Sequence, residues 1–256
     1  MKRKKKIHKD FLPIAEHLDD IIENFEFKGE NFGNQDRNAL KLFKIDNLTI
    51  NVKSFRVPNV INQVVYKFFR KSKAQRSFEY ACKLIDVGIK TPQPIGYFEY
   101  TAPIVFNKSY YLSEQLNCDL TFRELTQDFN YPEHEAILRA FTRFTYQLHE
   151  HDVLFLDHSP GNTLIKKTAT GFDFYLVDLN RMEFRPLNFE ERIKNFARLT
   201  THKSMVEVMS DEYAKCIGKE YNEVYSLMWM YTEAFQSKYH RKRQLKNKLL
   251  FWRSPK

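Results

Sequence analysis

The 256-residue sequence has few cysteines, few glycines and no apolar run of transmembrane length. Its three cysteines, Cys82, Cys118 and Cys216, are widely spaced. They therefore predict neither a disulfide framework nor a zinc site, and a reducing cytoplasm is expected. Because no apolar stretch approaches the roughly 20 residues that span a bilayer, any membrane contact should be peripheral. No apolar segment follows the basic run at residues 1–6, which argues against a secretory signal peptide.

Positive charge is in excess. The chain carries 41 Lys and Arg against 32 Asp and Glu, a formal net charge of +9. Such a balance favours an anionic partner, for which nucleic acid, acidic lipid and a phosphorylated sugar are all candidates. Hydrophobic residues make up 43% and aromatic residues 15% of the chain, so we expect a globular protein with a buried core rather than a disordered one.

The pattern of apolar residues changes along the chain. Strand-like patterns occur at residues 39–45, 48–55, 95–100 and 110–114, whereas helical periods occur at 11–25, 73–87, 133–151, 189–199 and 220–236. The interpretation is an α+β, bilobal fold. A basic N-terminal segment and helix (1–24) come first, then a strand-rich N-lobe with one main helix (25–115), then a helical C-lobe (116–256). Small ligands commonly bind in the cleft between two lobes.

Three polar residues of the second half have the order that phosphoryl transfer requires. Asp157 is followed five residues later by Asn162, and Asp178 comes after an apolar run. We predict that Asp157 is the catalytic base and that Asn162 and Asp178 are Mg²⁺ ligands. Strand patterns at 163–165 and 174–177 predict a hairpin that brings Asp178 back beside Asn162. An ordinary Asp-rich turn before a strand explains the loop alone, but not the later Asp.

The first half supplies a candidate phosphate-binding lysine. Ile50 and Val52 lie on one face of a predicted strand and Lys53 on the other, where it can point into the cleft towards the α- and β-phosphates. Glu79, on the helix that follows, is predicted to pair with Lys53 and hold its ammonium group in place. Each residue by itself is equally well explained as a surface charge, Glu79 through an exposed pair with Lys83. Their order along the chain carries the case.

A glycine-containing turn precedes these strands. Gly29 and Gly33 are candidates for a turn that covers the nucleotide phosphates. Their spacing does not match G-x-G-x-x-G, so the motif is a weak indicator of nucleotide binding.

Together these residues resemble the protein-kinase-like fold, in the branch of lipopolysaccharide kinases called the Kdo/WaaP family. The resemblance extends from about residue 25 to about residue 199. It is carried by Thr49–Phe55, by Arg76–Ala81 with Gly88–Gly96, and by Asp157–Asn162 with Asp178–Arg181. It implies a lobe-linking segment near residues 114–118, where Glu114 and Leu116 are the expected contacts of the ATP purine.

The resemblance also implies a reaction and a place. ATP with Mg²⁺ is the expected donor, and the expected acceptor is a Kdo or heptose hydroxyl on a lipid-linked sugar of the lipid A–core region. The enzyme is expected in the cytoplasm, at the inner face of the cytoplasmic membrane, with no nucleic-acid partner. The basic stretch Tyr239–Arg253 becomes apolar and aromatic, so it could lie on an anionic membrane with help from the basic run at residues 1–6. The alternative is two solvated tails.

Several positions depart from protein kinases. Phe155 and Leu156 precede the base where protein kinases have His and Arg, so control by activation-loop phosphorylation is not expected. Ser159 stands where a Lys or His is often found two residues after the base. Asn180 stands where protein kinases have Gly, and because Asn tolerates a left-handed backbone the turn should survive.

Two other functions are compatible with the sequence. The Pro-Gly-Asn ending of the loop also resembles soluble small-molecule kinases of the aminoglycoside and choline type, although a net charge of +9 does not favour a cationic acceptor. A non-catalytic protein that binds membranes or nucleic acid through basic tails is the alternative from another class. It would not explain the order of the four candidate residues.

Overall fold

The computed structural model of the protein describes residues 2–33, 38–55, 71–101 and 106–249. The chain forms two compact units. The first comprises Met1–Asn117 and Tyr175–Arg181, and the second comprises Cys118–Phe174 and Met182–Lys256. The first unit is dominated by strands and the second by helices, which confirms the predicted α+β class.

An antiparallel sheet forms the first unit. Its strands, within the described residues, have the order β1-β5-β6-β4-β3-β2. They are β1 (Lys2–Ile7), β2 (Glu30–Asn31), β3 (Asn38–Ile45), β4 (Leu48–Phe55), β5 (Pro94–Thr101) and β6 (Phe106–Glu114). The predicted hairpin is present, with Ile45 opposite Leu48 and Asp46 at φ 50°. A short aspartate accepts this left-handed conformation better than a branched residue does.

Two helices cover the sheet of the first unit. Helix α1 (Ala15–Glu23) follows a 3-10 turn, Lys9–Ile14, that contains Pro13. Proline has no N–H for an α-helical hydrogen bond, which explains why the helix begins later than residue 11. Ile50 and Val52 of β4 pack in one apolar cluster with α1. Helix α2 (Lys73–Asp86) packs in a separate cluster that contains Phe55.

The basic run at residues 2–6 is a strand rather than the tail that the sequence suggested. β1 pairs with β5 from Lys2 opposite Thr101 to Ile7 opposite Gly96. Its cations meet acids of the same unit: Lys5 Nζ lies 2.8 Å from Asp19 Oδ2, Arg3 also pairs with Asp19, and Lys4 Nζ lies 3.4 Å from Glu99 Oε2. Much of the positive charge of this run is therefore compensated by acidic residues within the fold.

The second unit contains several helices and short strands. The helices are α3 (Phe122–Gln127), α4 (His134–Glu150), α5 (Phe189–Lys194), α6 (Lys203–Ile217) and α7 (Tyr221–Leu249). The strands are β7 (Leu120–Thr121), β8 (Val153–Phe155), β9 (Thr163–Thr168), β10 (Gly171–Leu176) and β11 (Met182–Phe184). β10, β9 and β7 form one sheet in that order, and β11 pairs with β8.

The helical predictions for the second unit were correct in part. The apolar face predicted for α4 is buried throughout, at Ile137, Phe141, Phe144 and Leu148. Helix α5 ends five residues earlier than predicted and α7 extends thirteen residues further. Helix α6 was not predicted, although its apolar residues Met205, Met209 and Tyr213 recur at helical spacing and are buried.

Candidate active site

The predicted site residues fall in both units. The first unit holds Gly29, Gly33, Lys53, Glu79, Glu114, Leu116 and Asp178, and the second holds Asp157 and Asn162. Each group is described within its own unit.

In the first unit, Lys53 and Asp178 form an ion pair. Lys53 Nζ lies 2.6 Å from Asp178 Oδ1, although 125 residues separate them in the sequence. The lysine is in the middle of β4, where Leu40 of β3 and Tyr111 of β6 flank it in register. Its ammonium group also lies 5.3 Å from the centre of the Phe55 ring. Neighbouring strands on both sides therefore fix the backbone that carries this charge.

The segment that carries Asp178 is anchored to the same unit. Leu176 N donates to Lys90 O at 3.1 Å, and Thr91 Oγ1 donates to Leu176 O at 2.8 Å. Asp178 itself adopts the left-handed conformation, with φ 58°. The prediction placed that conformation at Asn180, which instead donates its side-chain Nδ2 to Asp178 Oδ1 at 2.8 Å. Strain at Asp178 is tolerable because aspartate visits this region more readily than most residues.

Glu79 has a different partner from the one predicted. Its carboxylate accepts from Lys71 Nζ at 2.7 Å and from Gln75 Nε2 at 2.8 Å, whereas Lys53 is bonded to Asp178. Burial acts against ionisation, but the hydrogen bonds from Lys71 and Gln75 hold the pKa of Glu79 below its usual value. Lys71, two residues before the first residue of α2, has taken the place of the strand lysine.

The two glycines of the predicted phosphate turn differ from each other. Gly29 has φ 87°, and a Cβ there would lie 2.5 Å from the Phe43 ring. Packing against Phe43 therefore accounts for glycine at this position. Gly33 has φ 64° with nothing near a Cβ, and the next residues, 34–37, lie outside the described residues.

The predicted purine-contact segment continues from the end of β6. Glu114 N donates to Gln93 O at 2.9 Å, and Gln115 N donates to Thr49 O at 2.8 Å. The Gln115 side chain accepts from Asn51 Nδ2 at 2.7 Å and donates to Leu116 O at 3.2 Å. These bonds tie the segment to β4 up to Leu116, and the first unit ends one residue later at Asn117.

In the second unit, the loop after β8 holds Asp157 and Asn162 in a fixed relation. A 3-10 turn, Pro160–Asn162, follows Asp157. Asn162 Nδ2 donates to the Asp157 backbone O at 2.8 Å. Since the amide nitrogen is used in this way, Asn162 Oδ1 is directed away from that bond, as a metal ligand requires.

A cation that was not predicted lies against Asp157. Arg198 Nη1 is 2.6 Å from Asp157 Oδ1 and donates to Leu156 O at 2.9 Å. Asn195, in the same segment after α5, donates its Nδ2 to Phe155 O at 2.8 Å. Because 42 residues separate Arg198 from Leu156, and because the segment has no periodic pattern, no local sequence signal points to this contact.

Two buried histidines lie in or near the loop that carries Asp157. His158 follows Asp157, stacks on Phe141 at 5.3 Å and lies 3.3 Å from Thr145 Oγ1. His149 bonds Tyr213 OH at 2.7 Å and Asn195 Oδ1 at 3.2 Å. Burial lowers the pKa of His158 to about 3 and the pKa of His149 to about 4. Both rings are therefore neutral at pH 7, and they act as packing and hydrogen-bonding groups.

Few of the described protein groups are available as metal ligands, which suits Mg²⁺ better than a metal that is bound by protein side chains alone. Among the described residues, no group of three or more His, Cys, Asp and Glu could hold a metal. Asp178 is one-third exposed, and its Oδ2 receives no hydrogen bond within the described part of the chain. Mg²⁺ is commonly bound by one or two protein oxygens together with substrate phosphates and water. The Asp178 carboxylate, within its own unit, is an oxygen donor of that kind.

Comparison with known proteins gives one family and one fold. The profile of the lipopolysaccharide kinase (Kdo/WaaP) family matches residues 57–221, well over half of the chain. Among solved structures, "WaaP in complex with acyl carrier protein" is similar, with a TM-score of 0.64 and 16% identity over 92% of this chain and 98% of that one. At this identity the likeness establishes the fold, and it confirms the predicted kinase-like architecture. A search of curated proteins finds no significant match.

Proposed function

We propose that this chain, which belongs to the lipopolysaccharide kinase (Kdo/WaaP) family, transfers the γ-phosphate of ATP to a Kdo or heptose hydroxyl of the lipid A–core region. Family membership makes the chain a phosphotransferase that acts on a sugar hydroxyl of lipopolysaccharide. The identity of the sugar and the roles of individual residues are our proposal. Its main support is the Lys53–Asp178 ion pair, because it joins two of the charged groups that phosphoryl transfer needs.

Each proposed residue has one role. Asp157 accepts the proton of the acceptor hydroxyl as that oxygen bonds to the γ-phosphorus and the bond to the β-phosphate oxygen breaks, releasing ADP. Lys53 binds the donor phosphates, and the backbone from Glu114 to Leu116 binds the purine. Asp178 and Asn162 would hold Mg²⁺, which would neutralise charge on the phosphates. We assign Glu79 to fixing the start of α2 through Lys71, and we leave the Gly29–Gly33 turn as a candidate phosphate cover.

The test of this function is transfer of labelled γ-phosphate from ATP. Kdo-lipid A and a heptose-bearing core are offered beside soluble sugars and amino alcohols, for wild type, Asp157→Asn and the control Asp128→Asn. Asp128 is an exposed aspartate of the same unit whose side chain caps Asn130 N. Transfer to one lipid-linked sugar that only Asp157→Asn abolishes would support the proposal. Transfer only to a soluble acceptor would assign the protein to the small-molecule kinases instead.

We also propose that the end of α7 contacts the anionic inner face of the cytoplasmic membrane. Residues 238–245 are all exposed, and they include Lys238, Arg241, Lys242 and Arg243 without an acidic residue. Within the described residues, no helix has the length and apolar character that crossing a bilayer requires. A cationic helix surface attracts acidic lipid by roughly 1 kcal/mol for each Lys or Arg near the bilayer. The apolar residues 250–252 of the predicted stretch lie outside the described residues.

Vesicle flotation tests this contact. Reversing Arg241, Lys242 and Arg243 to Glu should release the protein from vesicles that contain phosphatidylglycerol, while neither protein should bind neutral vesicles. The control reverses three exposed lysines elsewhere, Lys9, Lys44 and Lys166, for the same change in net charge. Equal loss in both variants would attribute binding to overall charge and would contradict a role for α7.

A further inference from the structure

The loop that carries the catalytic base is held by side chains of one later segment. Asn195 donates to Phe155 O, and Arg198 donates to Leu156 O and forms an ion pair with the Asp157 carboxylate. Three successive residues of the loop are thus bonded to two side chains only three positions apart. Because Arg198 Nη1 binds a backbone oxygen and the carboxylate together, it fixes the orientation of the carboxylate relative to its own backbone.

Arg198 packs against a helix of its own unit. Its guanidinium lies 5.5 Å from the centre of the Phe235 ring of α7, and its Nε is buried. Only 33% of its side chain is exposed, against 21% for Asp157. On the other side, Asn195 is bonded to His149, which is bonded to Tyr213 of α6. The cation beside Asp157 therefore packs against α7, its neighbour Asn195 is bonded to the helical core, and only part of Arg198 reaches solvent.

The loop lacks a cation of its own at this point. Ser159 occupies the position, two residues after the base, where related kinases often have Lys or His. We propose that Arg198 supplies this missing cation and is the positioning residue of Asp157. The proposal rests on Asp157 being the base, as proposed above.

A carboxylate needs such positioning because its terminal torsion is broad and weakly restricted. By binding Oδ1, Arg198 sets the direction in which Oδ2 points, and Oδ2 is then the atom that takes the proton of the acceptor hydroxyl. Loss of the contact should lower the fraction of complexes in which base and hydroxyl are aligned. A misplacement of about 1 Å can lower a rate about 10²-fold.

The first experiment compares Arg198→Met and Arg198→Lys with Arg192→Met. Arg192 is a matched control: it lies six residues earlier, in α5, is partly buried and pairs with Glu150 at 2.5 Å. We expect kcat to fall about 10²-fold in Arg198→Met and about 10-fold in Arg198→Lys. KM for ATP should change less than threefold in both. Added guanidinium ion should restore part of the rate in Arg198→Ala, whose truncated side chain leaves space for the ion beside Asp157.

The second experiment is a double-mutant cycle on whichever acceptor the wild type phosphorylates. A residue that acts through Asp157 should have little further effect once the base is removed, so Arg198→Met should slow Asp157→Asn less than threefold. Full additivity, or a rise in KM for ATP that explains the whole loss, would overturn the proposal.

A third measurement is independent of activity. Hydrogen exchange at the amides of His158 and Asn162, which are bonded to Phe155 O and Ser159 O, should accelerate in Arg198→Met and not in Arg192→Met. Unchanged exchange in a folded Arg198→Met protein would contradict the positioning role even if no acceptor were phosphorylated. Absence of transfer by the wild type, with the exchange result as expected, would refute the proposed function alone.

Discussion

Asp157 and Asp178 are both bound by a cation that lies far away in the sequence, but the two cations sit on different kinds of backbone. Lys53 lies in a central strand whose two neighbours fix its position through main-chain hydrogen bonds. Arg198 lies in an irregular segment after α5 and is held by side-chain contacts to the Phe235 ring and to the Leu156 carbonyl. The strand makes the first cation insensitive to single substitutions nearby, whereas the second depends on the packing of several helices.

The largest effects are expected when the charge of either carboxylate is removed, and these substitutions also distinguish the roles of the two residues. Asp157→Asn and Asp178→Asn should each lower the rate of phosphate transfer on the order of 10³-fold, because a base or a metal ligand is lost. They should differ in nucleotide binding. Asp178→Asn should weaken binding of Mg-ATP, and Asp157→Asn should leave it nearly unchanged, as measured by calorimetry. Equal effects on binding would show that the two carboxylates do not have separate roles.

The next largest effect should come from the strand lysine. Lys53→Met should lower kcat/KM for ATP on the order of 10²-fold, because a positive charge directed at the donor phosphates is lost. Lys71→Met removes the lysine that Glu79 actually binds and serves as the control, with an expected change below threefold. Steady-state kinetics at varied ATP concentrations measure both. A strong effect of Lys71→Met would instead favour the Glu79 side of the sheet as the phosphate site.

Acid should distinguish the two units through their histidines. His149 and His158 of the second unit have pKa values of about 4 and about 3 in the folded protein, below the value of about 6.5 in an unfolded chain. Their contribution to stability is complete above pH 6.5 and is lost as the pH falls from there towards 4 and 3. Each should reduce the free energy of unfolding by about 1.4 kcal/mol per pH unit within that window.

Urea unfolding between pH 8 and pH 5 measures this effect. His158→Phe keeps an aromatic ring against Phe141. It should lower the pH dependence of the free energy of unfolding by the amount that corresponds to about one proton taken up on unfolding. His17→Phe, at an exposed histidine of the first unit, is the control and should leave the slope unchanged. The same slope in all three proteins would mean that the buried histidines do not cause the acid sensitivity.

The smallest expected effect concerns Glu79. Since its ion pair with Lys71 is partly exposed, at 58% for the Lys71 side chain and 25% for that of Glu79, Glu79→Gln should cost about 1 kcal/mol of stability or less. Transfer activity should fall less than threefold, in contrast to Lys53→Met. Thermal unfolding measures the change in stability, and initial rates measure the change in transfer activity. A large loss of activity would instead favour the Lys53–Glu79 pair that the sequence predicted.

The parts of the fold that sequence predicted well are those with a strong local period. The β3–β4 hairpin and the buried face of α4 follow from alternation and helical spacing, which residues such as Ile50 and Phe141 reveal directly. β1 was missed because its charges mask its alternation: Arg3 and Lys5 face Asp19, a residue whose proximity depends on the folded chain. Neither the sequence of β1 nor that of the helix with Asp19 shows by itself that these charges will pair.

The candidate site shows the same division. Lys53, Asp157, Asn162 and Asp178 could be selected because their order along the chain is set by the chemistry of phosphate transfer. The partners of these residues could not. Lys53 binds Asp178 rather than Glu79, and Arg198 binds Asp157 from a segment without periodicity. Pairing is decided by which charged side chains can reach each other in three dimensions, and neither spacing nor composition contains that information.

The return of Tyr175–Arg181 to the first unit has a consequence for the order of synthesis and for dissection of the protein. A ribosome must extend the chain through Cys118–Phe174 before the first unit receives its last segment. A fragment that stops at Asn117 would leave the Lys53 amine without the Asp178 carboxylate, and Lys90 O and Thr91 Oγ1 without their partners at Leu176. An excised version of this unit therefore needs the 175–181 segment restored, by a short linker or as a separate peptide, before its affinity for nucleotide represents that of the whole chain.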